Sequence, residues 1–190
     1  MMKAAFVFLA DEATHNWAAR QTLRFHQAAG LGFEANRLPY HLSLKQPFSI
    51  DGLTAAEAFF DRFAASVRAV KVSFQKLACW PSEIFGYPSG VLAFQAEKSP
   101  QLAALHTRLN KELEASFGPC PATFDGDAYT FHMTLSIGGG GWEAYQRAYE
   151  GFKGGFEGAE AVFDRLALLY YHGEPILPGS YFCYKQAKIL

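Results

Sequence analysis

The sequence has no surplus of charge of either sign. Its 17 Lys+Arg stand against 18 Asp+Glu, a formal net charge of −1 with histidine neutral. A protein that holds long nucleic acid by bulk charge needs a basic excess to displace counterions, and none exists here. Cysteine is scarce. Cys79, Cys120 and Cys183 lie far apart and form no Cys-x-x-Cys, which argues against a disulfide framework or a cysteine metal cluster and fits a reducing compartment. No apolar run approaches the roughly 18 residues of a membrane span. The run Ala4–Ala10 is closed by Asp11 and Glu12, and no small-residue cleavage site follows cleanly. It reads as a first strand rather than a secretory leader. The expected location is cytoplasmic, with no membrane partner.

Several chemical signatures are missing too. There is no HExxH or comparable local ligand set for zinc. No GxSxG elbow marks a serine hydrolase. No GxGxxG follows a strand, and Gly138–Gly141 lacks the Lys-Ser/Thr of a phosphate loop, so that stretch reads as a turn. Asp125-Gly126-Asp127 reads as a turn rather than a metal loop. No metal and no cofactor are expected.

What is present is apolar surface. Half of the 190 residues are apolar and 18% are charged, which excludes a disordered chain. A chain of this length buries about 70% of its unfolded surface. Strands are predicted at Ala4–Ala10, Tyr40–Phe48 and Ala69–Leu77, with helices at Thr14–Ala29 and Thr54–Arg68. The second helix opens on a Thr54/Glu57 capping box. Trp80–Gly90, rich in Pro, Gly and Ser, is predicted as a loop. The order then recurs: strand Val91–Ala96, a helix capped by Ser99-Pro100 and running to Phe117, a loop over Pro119–Tyr129, strand Phe131–Ile137 and a helix over Trp142–Glu150. Gly151–Gly158 reads as loop. Ala161–Tyr171 and Tyr181–Ile189 are predicted to close the chain as a hairpin turning at Gly173–Gly179. Strand–helix–strand–helix–strand thus appears twice. The repeat predicts one domain over 1–190 with lobe-forming halves near 1–81 and 90–190, related by a pseudo-twofold with a central cleft between them.

Two motifs stand above this background. His41-Leu42-Ser43-Leu44 and His132-Met133-Thr134-Leu135 both read His–apolar–Ser/Thr–apolar, 91 residues apart at the histidines and at the hydroxyls. Roughly 0.1 chance matches to the pattern are expected at ordinary residue usage. On a strand, residues i and i+2 share a face. His41 with Ser43, and His132 with Thr134, therefore project together, while the apolar residues anchor a core. Two imidazoles with an ordinary pKa near 6.5 suit a paired acid and base. Two hydroxyls between them suit the oxygens of a tetrahedral phosphate. The same parity extends the first row to Lys45 and the second to Ser136. Tyr40, Phe48 and Tyr171 lie near strand ends where a base could stack, as do Trp80, Tyr87, Phe131 and Tyr170. His15, His26 and His106 carry no partner pattern; His26 and His106 read as surface or satisfied helix residues.

The twin motifs, their spacing, the duplicated layout and the stretch His41–Phe48 (HLSLKQPF) resemble the 2H phosphoesterase superfamily, which includes 2′-5′ RNA ligase-like proteins and cyclic nucleotide phosphodiesterases. The resemblance implies a bilobal α+β fold with two antiparallel sheets, and metal-free hydrolysis of a 2′,3′-cyclic phosphate or a related nucleotide or RNA phosphodiester. It implies that one of His41 and His132 activates water, that the other protonates the departing ribose oxygen, and that Ser43 and Thr134 hold the non-bridging oxygens. Ser43 stands where Thr is commoner in the family, and keeps the hydroxyl. RNA-processing relatives often carry a basic residue after the second motif. Here Ser136-Ile137 and four glycines follow, so small nucleotides, RNA ends and other phosphoesters stay equally open. A 2′-5′ RNA ligase or 2′-5′ phosphodiesterase, and a non-catalytic nucleotide or RNA-end binder, are the rival readings. Oligomeric state is not legible.

Overall fold

The computed structural model describes residues 2–32, 35, 38–84, 86–173 and 182–189. The first apolar run becomes β1 (Met2–Leu9), and its last six residues are buried without alternation. The reason is its place between β2 (His41–Ile50) and β7 (Arg165–His172) in a four-stranded antiparallel sheet, order β2-β1-β7-β8, with β8 spanning Phe182–Lys188. A strand covered on both faces has no polar side to show. Ala4, Phe6 and Phe8 enter the main core, while Ala5, Val7 and Leu9 meet Ala167 and Leu169 in a smaller cluster on the other face. Phe6 sits among Phe48, Phe59, Phe60 and Phe63, with ring centroids 5.7–6.4 Å away.

The second sheet has the order β5-β4-β3-β6, formed by β3 (Val70–Ile84), β4 (Tyr87–Ala96), β5 (His132–Ile137) and β6 (Ala159–Phe163). The described residues also hold four α-helices, α1 (Glu12–Ala29), α2 (Leu53–Ala64), α3 (Pro100–Phe117) and α4 (Trp142–Phe152), and short 3-10 turns at Gly126–Ala128 and Lys153–Gly155. The α+β class with two antiparallel sheets is as expected. None of these helices is long and apolar enough to cross a membrane.

The sheets do not divide where the sequence halves do. The strand that follows α2, β3, pairs with β4. The strand that returns after α4 and β6, namely β7, pairs with β1. The first half therefore lends β3 to the sheet of β4 and β5, and the second half lends β7 and β8 to the sheet of β1 and β2. The helices cross in the same sense, since α1 lies against β5 and α3 against β2.

Local chemistry explains most boundaries. Asp11 accepts from the Thr14 N–H at 2.7 Å to start α1, and Gly30 closes it in the left-handed region at φ 64°. Ser99 caps α3 with Pro100 in its first turn. The Thr54/Glu57 capping box does not form. Gly52 is the N-cap with no side-chain bond, Thr54 lies inside the first turn, and the helix stops at Ala64 rather than Arg68.

The loop predicted over Trp80–Gly90 is instead the far end of a long hairpin, with Pro81 opposite Gly90 and Ser82 opposite Ser89. There β6 no longer flanks β3 and β5 no longer flanks β4. A strand with a free outer edge tolerates proline. The single strand predicted over Ala161–Tyr171 is two. Asp164 alone carries the chain from the second sheet to the first, and its carbonyl accepts from the Ile189 N–H at 2.8 Å. Beyond Gly173 the predicted closing turn lies outside the described residues, as does Tyr181.

Gly138–Gly141 is a turn, as read, and it has a packing role. The Gly32 N–H donates to the Gly138 carbonyl at 2.8 Å. A Cβ on Gly32 would stand 2.3 Å from that oxygen, with only backbone to give way. Gly32→Ala should cost about 2–3 kcal/mol in urea unfolding, the scale of overpacking. Gly151→Ala, whose Cβ meets nothing within 4 Å at the end of α4, should instead stabilise by about 0.5 kcal/mol.

Candidate functional site

His41 opens β2 and His132 opens β5, and each of these is the edge strand of its sheet. The two edges pack against each other. The five residues of each motif show the same burial pattern: His41 and Ser43 half-buried with Leu42, Leu44 and Lys45 buried, and His132 and Thr134 half-buried with Met133, Leu135 and Ser136 buried. The apolar anchors Leu42, Leu44, Met133 and Leu135 are fully enclosed. Burying four such side chains holds the polar face of each strand in one orientation, since strand side chains alternate.

The imidazoles are oriented alike. His41 Nδ1 lies 2.8 Å from the Pro39 carbonyl, and His132 Nδ1 lies 3.0 Å from the Thr130 carbonyl. A carbonyl only accepts, so Nδ1 carries the hydrogen in both rings. Nε2 is then the nitrogen that accepts or releases a proton. Among the described residues no protein group bonds either Nε2, nor the hydroxyl of Ser43 or Thr134. Two proton-transfer atoms and two hydroxyl donors are thus left unspent on adjacent strands. Trp80, from β3, stands edge-on to His132 with ring centroids 5.0 Å apart.

Both rings titrate below the ordinary histidine value. Burial is the main cause for His41, opposed by the bond to Pro39 and reinforced by the positive charge of His132. Burial lowers His132 as well, opposed by the bond to Thr130. The packing of β2 against β5 is what brings the rings within reach of that repulsion. The repulsion also opposes a second proton on the pair.

Parity stops at the fourth position of each motif. Val7 faces Ser43 and Phe6 faces Lys45, which leaves Leu44 unpaired; Ala93 faces Thr134 and Leu92 faces Ser136, which leaves Leu135 unpaired. Each strand carries a one-residue bulge at the same place, and a bulge turns the following side chain to the other face. Lys45 and Ser136 therefore do not continue the rows as expected. Lys45 is 2% exposed and pairs with Asp125. Ser136 is wholly buried and donates to the Gly32 carbonyl at 2.8 Å.

The aromatic expectations fare differently. Tyr40 is buried, its hydroxyl donating to Thr22 Oγ1 at 2.6 Å. Phe48 is core, packed on Phe6. Tyr171 pairs with Lys3 while His41 pairs with Leu9 on the same strand. Six residues at about 3.3 Å each put Tyr171 about 20 Å along the sheet from His41. Trp80 alone of the aromatics singled out borders a motif histidine through a described ring contact. Within the described residues no group of three or more His, Cys, Asp or Glu side chains could hold a metal ion.

Residues that the sequence did not mark also reach the motif strands. His106 is buried in α3 and reaches the Leu44 carbonyl, and Tyr129 donates to the Ser43 carbonyl. Neither carries a local sequence signal, because the partner in each case is a main-chain oxygen.

A model of the 2′-5′ RNA ligase superfamily matches residues 12–175. No curated protein sequence matches the chain. Among solved structures, TT0787 of Thermus thermophilus is similar at a TM-score of 0.61 with 14% identity, covering 98% of this chain and 95% of that one. E. coli LigT complexed with 3′-AMP gives 0.57 with 12% identity over 99% and 98%. Kluyveromyces marxianus Usb1 gives 0.56 with 12% identity over 96% of each chain. Identities this low show a shared fold.

The lowered histidines have a consequence for stability. A folded pKa below the unfolded value means fewer bound protons in the folded state between the two, so stability rises with pH across that window. The urea midpoint should fall as pH drops through 6.5, the ordinary histidine value. The double variant His41→Asn, His132→Asn should show a shallower fall.

Proposed function

We propose a function from one premise: the chain belongs to the 2′-5′ RNA ligase superfamily. The protein is a metal-independent phosphoesterase that hydrolyses a 2′,3′-cyclic phosphate on a small nucleotide or an RNA end. The observation that carries this reading is the pair of unspent Nε2 atoms and unspent hydroxyls on the packed edge strands β2 and β5. Their duplication supplies what in-line displacement at phosphorus needs, one proton-transfer group on the attacking side and one on the leaving side. The binding of 3′-AMP by LigT and of uridine monophosphate in a second Usb1 structure supports a nucleotide as ligand. Near-zero net charge supports a short ligand over a long nucleic acid.

In this reading one histidine, neutral at Nε2, takes a proton from water as the oxygen attacks phosphorus. The other, protonated at Nε2, gives its proton to the ribose oxygen as that P–O bond breaks. The product is a nucleoside monophosphate. The two rings have exchanged protonation states, and proton exchange with solvent resets them. The hydroxyls of Ser43 and Thr134 donate to the non-bridging oxygens, whose charge grows in the transition state. Trp80 flanks the His132 side and offers an aromatic edge to the ligand. The protein acts in the cytoplasm, in keeping with its three free cysteines.

The test is product analysis after incubation with 2′,3′-cyclic mononucleotides, oligonucleotides with cyclic ends and 2′-5′ linked dimers. Cyclic substrates should give monophosphates, and turnover should persist in EDTA. Joined oligonucleotides would identify a ligase, cleaved dimers a 2′-5′ phosphodiesterase, and binding without product a receptor. His41→Ala and His132→Ala should each lower kcat by at least about a hundredfold, the usual scale for a general acid or base. Ser43→Ala and Thr134→Val should each cost about 1–3 kcal/mol of transition-state stabilisation. The profile of kcat/KM against pH should be bell-shaped with its maximum below 6.5, because both free-enzyme values lie below it.

A further inference from the structure

We propose that Thr22 and His106 are a reciprocal pair of positioning residues, each on a helix of one half, that set the separation of His41 and His132 by holding the bulge of the other half's motif strand. The inference rests on the paired-histidine reading of the site and adds residues to it.

The starting point is an unmet demand. The extra residue of a bulge leaves the ladder, and a buried main-chain carbonyl without a partner is costly. Leu44 and Leu135 are those residues, and both are fully buried. The Leu44 carbonyl receives His106 Nδ1 at 2.7 Å, and the Leu135 carbonyl receives the Thr22 hydroxyl at 2.7 Å. Thr22 is 1% exposed and His106 2%, so water does not compete for either bond. The bonds cross. Thr22 belongs to α1, which joins β1 to β2, yet it grips β5. His106 belongs to α3, which joins β4 to β5, yet it grips β2.

Each brace is itself held. The Tyr40 hydroxyl donates to Thr22 Oγ1 at 2.6 Å, and Tyr40 immediately precedes His41. One hydroxyl thus ties the root of the first histidine to the bulge behind the second. On the other side Tyr129 stacks on His106 with centroids 4.2 Å apart, and its hydroxyl donates to the Ser43 carbonyl at 3.0 Å. The Gly126 N–H donates to His106 Nε2 at 3.2 Å. The Leu44 carbonyl only accepts, so His106 Nδ1 carries a hydrogen and donates it to the bulge.

The position after each bulge repeats the crossing. Lys45 pairs with Asp125, in the segment after α3, and Ser136 bonds Gly32, in the segment after α1. Both motif strands are therefore fastened to the half that carries the other histidine. Sliding one strand by an ångström would break bonds at its own bulge and move its histidine relative to the opposite ring.

The test uses Thr22→Val, which keeps the side-chain shape and loses the donor, and His106→Phe, which keeps a ring and loses both nitrogens. Each should lower kcat on a cyclic mononucleotide by about ten- to a hundredfold, the effect of a small misplacement of reacting groups, with KM changed by less than about threefold. Thr22→Ser and His106→Asn restore a donor and should recover most of kcat. Leu113→Val, a core change in the same α3 away from the bulges, should lower the melting temperature and leave kcat per folded molecule unchanged. Loss of kcat in Leu113→Val to the same degree, or full kcat in both ablations, would overturn the proposal. Should one ablation not fold, the other decides.

Histidine NMR separates this inference from the functional reading. If wild-type protein turns over none of the substrates, that reading fails. The brace is then judged by the His41 and His132 ring resonances and titration curves. They should move in Thr22→Val and return in Thr22→Ser; resonances unmoved in Thr22→Val would defeat it.

Discussion

The constraint on which the site depends is a one-residue interruption of strand pairing, placed identically in two strands. Leu44 and Leu135 step out of their ladders just after the hydroxyl of each motif. Before the step, ordinary alternation holds the imidazole and hydroxyl on the open face against a buried leucine or methionine. After it, the chain turns the next side chain inward, so Lys45 and Ser136 become fasteners. The bulge thereby limits each half-buried row to two groups and converts the third into structure. Bulges near functional sites commonly re-aim side chains in this way.

The exchange of strands between sheets gives that local geometry its reach. If each half formed its own sheet, the two motif edges would be related only through a lobe interface. Instead β3 and β7 change sheets, α1 and α3 lie on each other's motif strands, and one residue, Asp164, spans the gap between the sheets. A hydrophobic core that runs through both sheets then holds the two edges together. Within this frame the imidazoles keep, among the described residues, one protein hydrogen bond each, at Nδ1, and burial holds both below their ordinary pKa. The unspent Nε2 and hydroxyl groups belong to half-buried residues, on the open face of each motif strand.

Much of this was legible in the residues. The two motifs stand out because a tetrapeptide pattern is local, and its meaning depends only on pleat parity. α3 was readable from Ser99-Pro100 to Gly118 because caps are written in adjacent residues. The long β3–β4 hairpin was not, because Pro81, Ser82, Pro88 and Ser89 carry turn composition, and only the absence of flanking strands makes them acceptable in a ladder. Nor was the division of Ala161–Tyr171 into two strands, since both pieces are apolar and the change of sheet at Asp164 leaves no break in hydrophobicity. Tyr40 and Phe48 looked available by type and turned out to be core.

By itself the sequence determined the candidate groups: two histidines, two hydroxyls, their spacing, and the apolar partners that force each pair onto one face. Those follow from covalent geometry and short-range periodicity, which need no partner to act. Tertiary structure alone decided which side chains after the hydroxyls stay outside, which aromatic borders His132, and what holds the two rings in register. Those depend on main-chain carbonyls meeting donors from segments that lie 62 and 113 residues away along the chain. A backbone oxygen has the same identity at every position, so no residue type announces the one that will need a partner.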